Sequence, residues 1–213
     1  MSTLPTLLET VRVRDGRAPL WYLHLRRLVA SCRALGVPFP PAFTVPEGGA
    51  DRVHRMEVGR HGVQVTEREP GATAPVALRV SAVRHPGYPH KTTHRAAFAE
   101  ALEGARAAGA DDALLLTPTG LVAEATIWCL YWWEGDTLAA PALGLGVLPG
   151  VSRMRIEELA GPVAERRMTV AELAGRSLFL SNAVRGIVEA AALDGRPVPV
   201  HPGTGRLRER FWP

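Results

Sequence analysis

The stretch GYPHKTTHR, residues 87–95, holds Lys91, the only lysine in a chain of 213 residues. Of 25 Lys and Arg residues, the other 24 are arginine. The two cations are not interchangeable. A guanidinium stays protonated, whereas a lysine amine that loses its proton on burial attacks a carbonyl carbon. A compositional drift towards Arg, alongside 21 Gly and 18 Pro, accounts for the arginines. It leaves the one lysine to be explained, either as a surface survivor or as an amine kept for Schiff-base chemistry.

Schiff-base chemistry on a single lysine makes pyridoxal phosphate the cofactor to expect. Such a cofactor needs an amine, an acid against the pyridine nitrogen so that the ring accepts electrons, and N–H groups, hydroxyls or an Arg around the phosphate. Glu124 in LVAEATI is the one carboxylate of a long apolar stretch. Burying it alone is costly, so it needs a partner. A protonated pyridine nitrogen is one; solvent at a strand end or a neighbouring Arg is the plainer one. LPGVSR, 148–153, sets Gly150 ahead of Val151 and Ser152 at an expected helix start, where free N–H groups suit a phosphate. An ordinary helix start reads the same way. SNAVRG, 181–186, puts the Ser181 hydroxyl, an amide and a glycine at a strand end. By itself it reads as a turn.

Other elements must bring these segments together. Residues 6–13, TLLETVRV, read as a strand; Asp15-Gly16 is a turn signal, and RAPLW reads as the returning strand of a hairpin. YLHLRRLVASCRALG follows, with Leu25, Leu28, Val29, Cys32 and Leu35 at helical spacing and Gly36 as the stop. Residues 37–49 are Pro/Gly-rich connection. DRVHRMEVGRHGVQVTERE alternates about an RHG turn as another hairpin, and VALRVSAV is a further strand. RHPGYPHK reads as a linker. THRAAFAEALEGARAAG predicts a helix with Thr93 as N-cap and Gly109 as its C′ glycine. DDALLLT, LVAEATIWCLYWW and TLAAP predict a run of antiparallel strands. A helix opens after LPG, TVAELAG is a short helix, RSLFLSNAV a strand, and GIVEAAAL-DG-RPV a last hairpin. The polar tail HPGTGRLRERFWP is expected to be weakly ordered. The expected class is α/β (α+β): two small α/β domains, 1–84 and 92–213, joined by a linker, 85–91, that carries Lys91. Ligand sites favour such junctions.

Composition narrows the partners. With 46% hydrophobic and 22% charged residues the chain is an ordinary globular one. No apolar run reaches the roughly 18 residues needed to span a bilayer, so no membrane is expected. The start, MSTLPTLLETVRV, lacks the basic region, apolar core and cleavage site of a signal peptide, which points to the cytoplasm. A net charge of +4 is spread over single arginines without a charge block, so no nucleic acid is expected. Cys32 and Cys129 are too few and too distant for a disulfide framework or a zinc site, and no metal is expected. WCLYWW is unusually aromatic for an exposed strand; core burial or a subunit interface would explain it.

The order of these pieces resembles the fold-type IV pyridoxal-phosphate enzymes, or class IV aminotransferases. That family includes branched-chain and D-amino-acid aminotransferases and 4-amino-4-deoxychorismate lyase. The resemblance runs from LLETVRVRDGRAPLWYLHLRRL to ALDGRPV and is strongest to the lyase branch. LLETVR followed by HLRRL is similar to the opening of lyase-like domains fused behind the para-aminobenzoate synthase large subunit. HKTTHR resembles the surroundings of their cofactor lysine, and SNAVRG resembles their TNSVRG element. The resemblance implies pyridoxal phosphate, a small-molecule amine substrate and a homodimer. Lys91 matches the lysine that holds the cofactor and shuttles protons, Glu124 the carboxylate on the pyridine nitrogen, and Arg27 the arginine on the phosphate. Val151 and Ser152 match residues that grip the phosphate, and Ser181 a hydroxyl that also reaches it. Arg95 matches an arginine typical of the lyase branch, near the cofactor ring; Arg185 would meet a substrate carboxylate. Where the family usually reads EGTxxNIF, this chain has EATIWCLY. Ala125 replaces Gly, Cys129 replaces Asn, and a bulky Trp128 would reshape the substrate side of the pocket. The implied function is a folate-pathway lyase that converts 4-amino-4-deoxychorismate to para-aminobenzoate and pyruvate. An aminotransferase acting on a D- or branched-chain amino acid uses the same lysine and glutamate and is the alternative. The altered EATIWCLY stretch motivates a third reading, a cofactor-binding protein without turnover.

Overall fold

Strand alternation shapes the smaller of two sheets. In the computed structural model, which describes residues 5–41, 43–44 and 48–213, β1 (Leu7–Val13) pairs antiparallel with β2 (Arg52–Gly59). β2 in turn makes the expected hairpin with β3 (Gly62–Arg68). Residues 42 and 45–47 of the Pro/Gly-rich connection, and the first four of the chain, lie outside the described residues. One face of this sheet, with Leu7, Val11, Met56 and Val58, packs on Leu28 and Cys32 of α1 (Trp21–Leu35). The opposite face, through Leu8, Thr10, Arg55 and Arg68, lines a cavity.

α1 ends at Gly36 as expected, in the left-handed region at φ 66°. Its buried side differs from the one its apolar spacing picks out. Leu23, His24, Arg27, Leu28, Ser31 and Cys32 are buried, while Val29 is 40% exposed. Polar side chains turn inward because Glu9 and the cavity lie opposite them. The hairpin expected at Asp15-Gly16 is also cut short. The turn forms, with φ 48° and 72°, but the return is a single bridge from Arg14 to Arg17. Leu20 and Leu23 are drawn into a second core, and the helix begins at once.

The larger sheet has nine strands. Its ladder runs β6 (Val122–Ala125), β5 (Asp112–Leu116), β4 (Val76–Arg84), β11 (Gly186–Leu193), β10 (Leu178–Asn182), β7 (Cys129–Glu134), β8 (Thr137–Pro141) and β9 (Ala164–Arg166), with β12 (Arg196–Pro197) on β11. It is mixed rather than an antiparallel run, since β4 is parallel to both β5 and β11, and β8 to β9. The sheet curls, so Leu78, Leu114, Val122, Trp132 and Leu180 meet in one core. Around it lie α2 (Ala96–Ala107), α3 (Val151–Ala160), α4 (Val170–Leu173) and α5 (Pro202–Arg210). We propose that the two sheets mark two domains joined through the 85–91 linker, with β4 contributed to the second. No helix among the described residues is long and apolar enough to cross a membrane.

Three further expectations change. LVAEATIWCLYWW is two strands, broken at 126–128. The Thr126 N–H and hydroxyl both bond the buried Asp112 carboxylate, at 3.2 and 2.5 Å, which turns the chain out of the ladder. Thr93 does not cap α2, which starts at Ala96. Arg95 sits at its cap position without a side-chain cap, two residues past Thr93, whose N–H pairs with the Thr6 carbonyl of the β1 segment at 3.0 Å. The tail is ordered: His201 caps α5, accepting from the Gly203 N–H at 3.1 Å, with Pro202 in the first turn. Phe211 is fully buried, a gain of about 1.5–3 kcal/mol that its polar neighbours conceal in the sequence. The aromatic run WCLYWW is core, with Tyr131 and Trp132 fully buried.

Candidate active site

Lys91 is placed by backbone pairing. The Leu8 N–H donates to the Lys91 carbonyl at 2.8 Å, and Leu7 bridges Thr92. The linker is therefore stitched to the edge of β1, between the two sheets. His90 adds a bond to Ser31 of α1 at 3.1 Å. On the other side the linker touches the loop after β8 so closely that a Cβ on Gly146 would sit 2.6 Å from the Gly87 carbonyl carbon. The Lys91 side chain enters a cavity of about 580 Å³. Burial, reinforced by the charges of Arg27 and Arg95, drives its ammonium down to about 7, while Glu9 and Glu124 pull the other way. An amine in that range is partly free at neutral pH.

Glu124 lines the same cavity from β6. Its Oε1 accepts from His85 Nε2 at 2.7 Å and from the Leu148 N–H at 3.2 Å. His85 is buried, and its Nδ1 accepts from the Gly87 N–H at 3.1 Å, so the ring proton lies on Nε2, facing the carboxylate. Oε2 makes no hydrogen bond among the described residues.

Arg27, Val151, Ser152 and Ser181 gather at another part of the cavity. α3 begins at Gly150 with no side-chain cap and no acid in its first turn, so its first N–H groups are open to an anion. A Cβ on Gly150 would come within 2.5 Å of Cys129 Sγ, so only glycine lets the helix start lie this close to β7. Ser181 Oγ donates to Ser152 Oγ at 2.9 Å, over Tyr131 and Cys129. Burial pushes both the Tyr131 phenol and the Cys129 thiol up, so this floor carries no competing negative charge. Arg27 is held from below by Glu9, whose Oε1 accepts from Arg27 Nε at 3.0 Å, while His24 Nδ1 lies 2.6 Å from Oε2. Burial pushes the Glu9 carboxyl up, but the Arg27 charge and the His24 bond outweigh it and hold it at about 2.

Arg95, Trp128 and Arg185 complete the wall. Arg95 donates to the Thr126 carbonyl and lies over Phe98, with Cζ 4.5 Å from the ring centre. Arg185 lies over Trp128 at 5.6 Å. The cavity thus brings together every site residue expected from the sequence. It also recruits residues the sequence did not single out. Arg55 and Arg68 were legible in principle from strand alternation, which sets them on one face. His85 carried no local signal, and Glu9, bonded to His24, reaches the cavity through Arg27 and through its charge on Lys91. Among the described residues no group of three His, Cys, Asp or Glu could hold a metal ion.

The profile of the class IV amino-transferase family matches residues 62–193. The chain belongs to that family. It is 29% identical over 169 residues to a Schizosaccharomyces pombe protein provisionally named an aminodeoxychorismate lyase, covering 71% of this chain and 73% of that one. Its fold is similar to a Legionella pneumophila structure provisionally named a 4-amino-4-deoxychorismate lyase, with TM-score 0.82 and 26% identity over 97% of this chain and 91% of that one. A Mesorhizobium loti structure with the provisional name of an amino-acid aminotransferase is equally near in sequence. It has TM-score 0.80 and 26% identity, covering 88% of this chain and 99% of that one. The family is one of pyridoxal-phosphate enzymes. The residues here fit that cofactor: an amine of lowered basicity, an acid with one oxygen free of bonds, and an uncapped helix start beside an arginine.

Proposed function

We propose that this chain is a pyridoxal-phosphate-dependent lyase that converts 4-amino-4-deoxychorismate to para-aminobenzoate and pyruvate. The observation that carries the reading is a single cavity in which the only lysine, weakly basic, meets an oriented carboxylate and an open helix start. Similarity to the S. pombe and L. pneumophila proteins favours the lyase branch. When bound, the cofactor supplies an electron sink beside the amine-bearing carbon. Arg27, the Val151 and Ser152 N–H groups and the Ser152 and Ser181 hydroxyls would hold its phosphate. Glu124, oriented by His85, stabilises positive charge at the ring nitrogen. Lys91 would hold the cofactor through its amine and, with that amine free, would serve as base and then as acid. It takes the proton from the amine-bearing carbon and returns one to the departing enolpyruvyl group. That group leaves as pyruvate while the substrate ring becomes aromatic. Arg95 would face the bound cofactor from the cavity wall, Arg185 would receive a substrate carboxylate, and Trp128 would wall the substrate side.

The test gives the purified protein pyridoxal phosphate and 4-amino-4-deoxychorismate and measures para-aminobenzoate. Product above background that Lys91→Ala abolishes supports the lyase. No product, with conversion of a D- or branched-chain amino acid to its keto acid, supports the aminotransferase that the M. loti similarity keeps open. A Schiff-base absorption band that borohydride fixes onto Lys91, without turnover of any amine, leaves only cofactor binding. The proposal includes a cytoplasmic homodimer, as the family resemblance implies, and a monomer in exclusion chromatography counts against it.

A further inference from the structure

The cavity holds more positive charge than a phosphate cradle uses. Besides Arg27, its walls carry Arg55, Arg68, Arg95 and Arg185, and Glu124 is the one carboxylate among them. On the cavity face of the smaller sheet, the β1–β3 register sets Arg12, Arg55 and Arg68 together. Arg12 has Asp51 at 2.5 Å and Arg55 has Glu57 at 2.8 Å. Arg68 has no carboxylate among the described residues; it donates to the Glu69 carbonyl oxygen at 2.8 Å.

Arg185 lines the same cavity in an equally unsatisfied state. Its own N–H is fixed by Asn182 Oδ1 at 2.8 Å, and its Nε is buried without a hydrogen-bond partner. The guanidinium rests over Trp128, whose ring is 4% exposed and locked into the main core. A cation over an indole face is attracted to it but keeps its N–H donors free. Burial, and then the charge of Arg68, weakens the hold of Arg185 on its proton. The Arg68 charge outweighs the opposing pull of Asp112 on Arg185, so the two guanidiniums repel and an arriving anion relieves that repulsion.

We propose that Arg68 and Arg185, the latter seated on Trp128, form a second anion subsite that selects amines carrying a second carboxylate over monocarboxylate amino acids. Trp128 is a positioning residue in this scheme, acting through Arg185. The inference rests on the amine-substrate reading above and adds the residues that choose among amines.

Calorimetric titration of the cofactor-loaded protein with benzene-1,3-dicarboxylate and with benzoate tests it. The dicarboxylate should bind roughly tenfold tighter, the worth of one charge-assisted contact. Arg68→Ala, on an exposed hairpin, and Trp128→Leu should each bring the ratio near one, whereas Trp128→Phe, which keeps a ring face, should preserve it. Equal binding of the two acids to the wild type, or a preference that survives Arg68→Ala and Trp128→Leu, overturns the proposal. Loss in Trp128→Phe as large as in Trp128→Leu overturns the part given to Trp128. If the protein never shows the cofactor band, the reading of the preceding section fails. The same titration without cofactor then still decides this one through Arg68→Ala.

Discussion

Replacing Lys91 by Met should make the cofactor-free protein more stable near neutral pH, by an amount that fades as the pH rises. The ammonium, ordinarily at 10.5, is driven to about 7 by burial and then by Arg27 and Arg95. The unfolded chain therefore keeps a proton that the folded chain has released between those two values. Folding strengthens with rising pH across that window and is weakest below it. At about 1.36 kcal/mol per pKa unit, the lysine costs the fold up to about 4 kcal/mol at pH 7 and about 2 kcal/mol at pH 9. Met has a similar length and no charge to desolvate. Urea melts of the two apoproteins at pH 7 and pH 9 read the difference. The stability gap should shrink by about 2 kcal/mol between them. A gap that does not change with pH would mean that Lys91 keeps an ordinary ammonium. The argument for a free amine near neutrality would then fall.

Glu9→Gln removes the charge that orients Arg27, and the dissociation constant for pyridoxal phosphate should rise roughly ten- to a hundredfold in an absorbance titration. Because the Glu9 carboxyl is held at about 2, below its ordinary 4.5, it contributes stability above that ordinary value that is lost as pH falls towards 2. Acid melts of Glu9→Gln should lack that limb, worth up to about 3 kcal/mol. His85→Ala takes away the donor at Glu124 Oε1 and should lower kcat/KM roughly ten- to a hundredfold while the protein still takes up cofactor. Gly150→Ala drives a methyl into Cys129 Sγ and should weaken cofactor binding, and adding Cys129→Ala should restore it; no recovery would rule out crowding as the cause.

Much of the site was legible because its chemistry needs residue types that composition makes conspicuous. One lysine among arginines, one carboxylate in an apolar stretch and a glycine ahead of a helix all turn up in the cavity. α1 and the β2–β3 hairpin followed from periodicity and from Gly36 and the RHG turn, which are local devices. The misreadings share a cause. Thr93 looked like a cap, but its pairing with β1 leaves α2 to start two residues later than expected, at Ala96, and LVAEATIWCLYWW looked like one strand until Asp112 claimed Thr126. The tail looked polar because its few apolar residues, Leu207, Phe211 and Trp212, which pack on the second core, are spread among polar ones.

The sequence by itself determined which groups can react: an amine, a carboxylate and a helix start each advertise their chemistry by type and neighbours. Only the tertiary structure decided how those groups are set. The proton of His85 faces Glu124 because the Gly87 N–H occupies the other ring nitrogen. Arg27 is oriented by Glu9, 18 residues away, through a contact that α1 makes only when packed on the sheet. Arg68 enters the cavity from a strand of the smaller sheet and Arg185 from the turn between β10 and β11 of the larger one. Pairings of this kind depend on distances between residues remote in the chain, and no local pattern encodes a distance that packing alone creates.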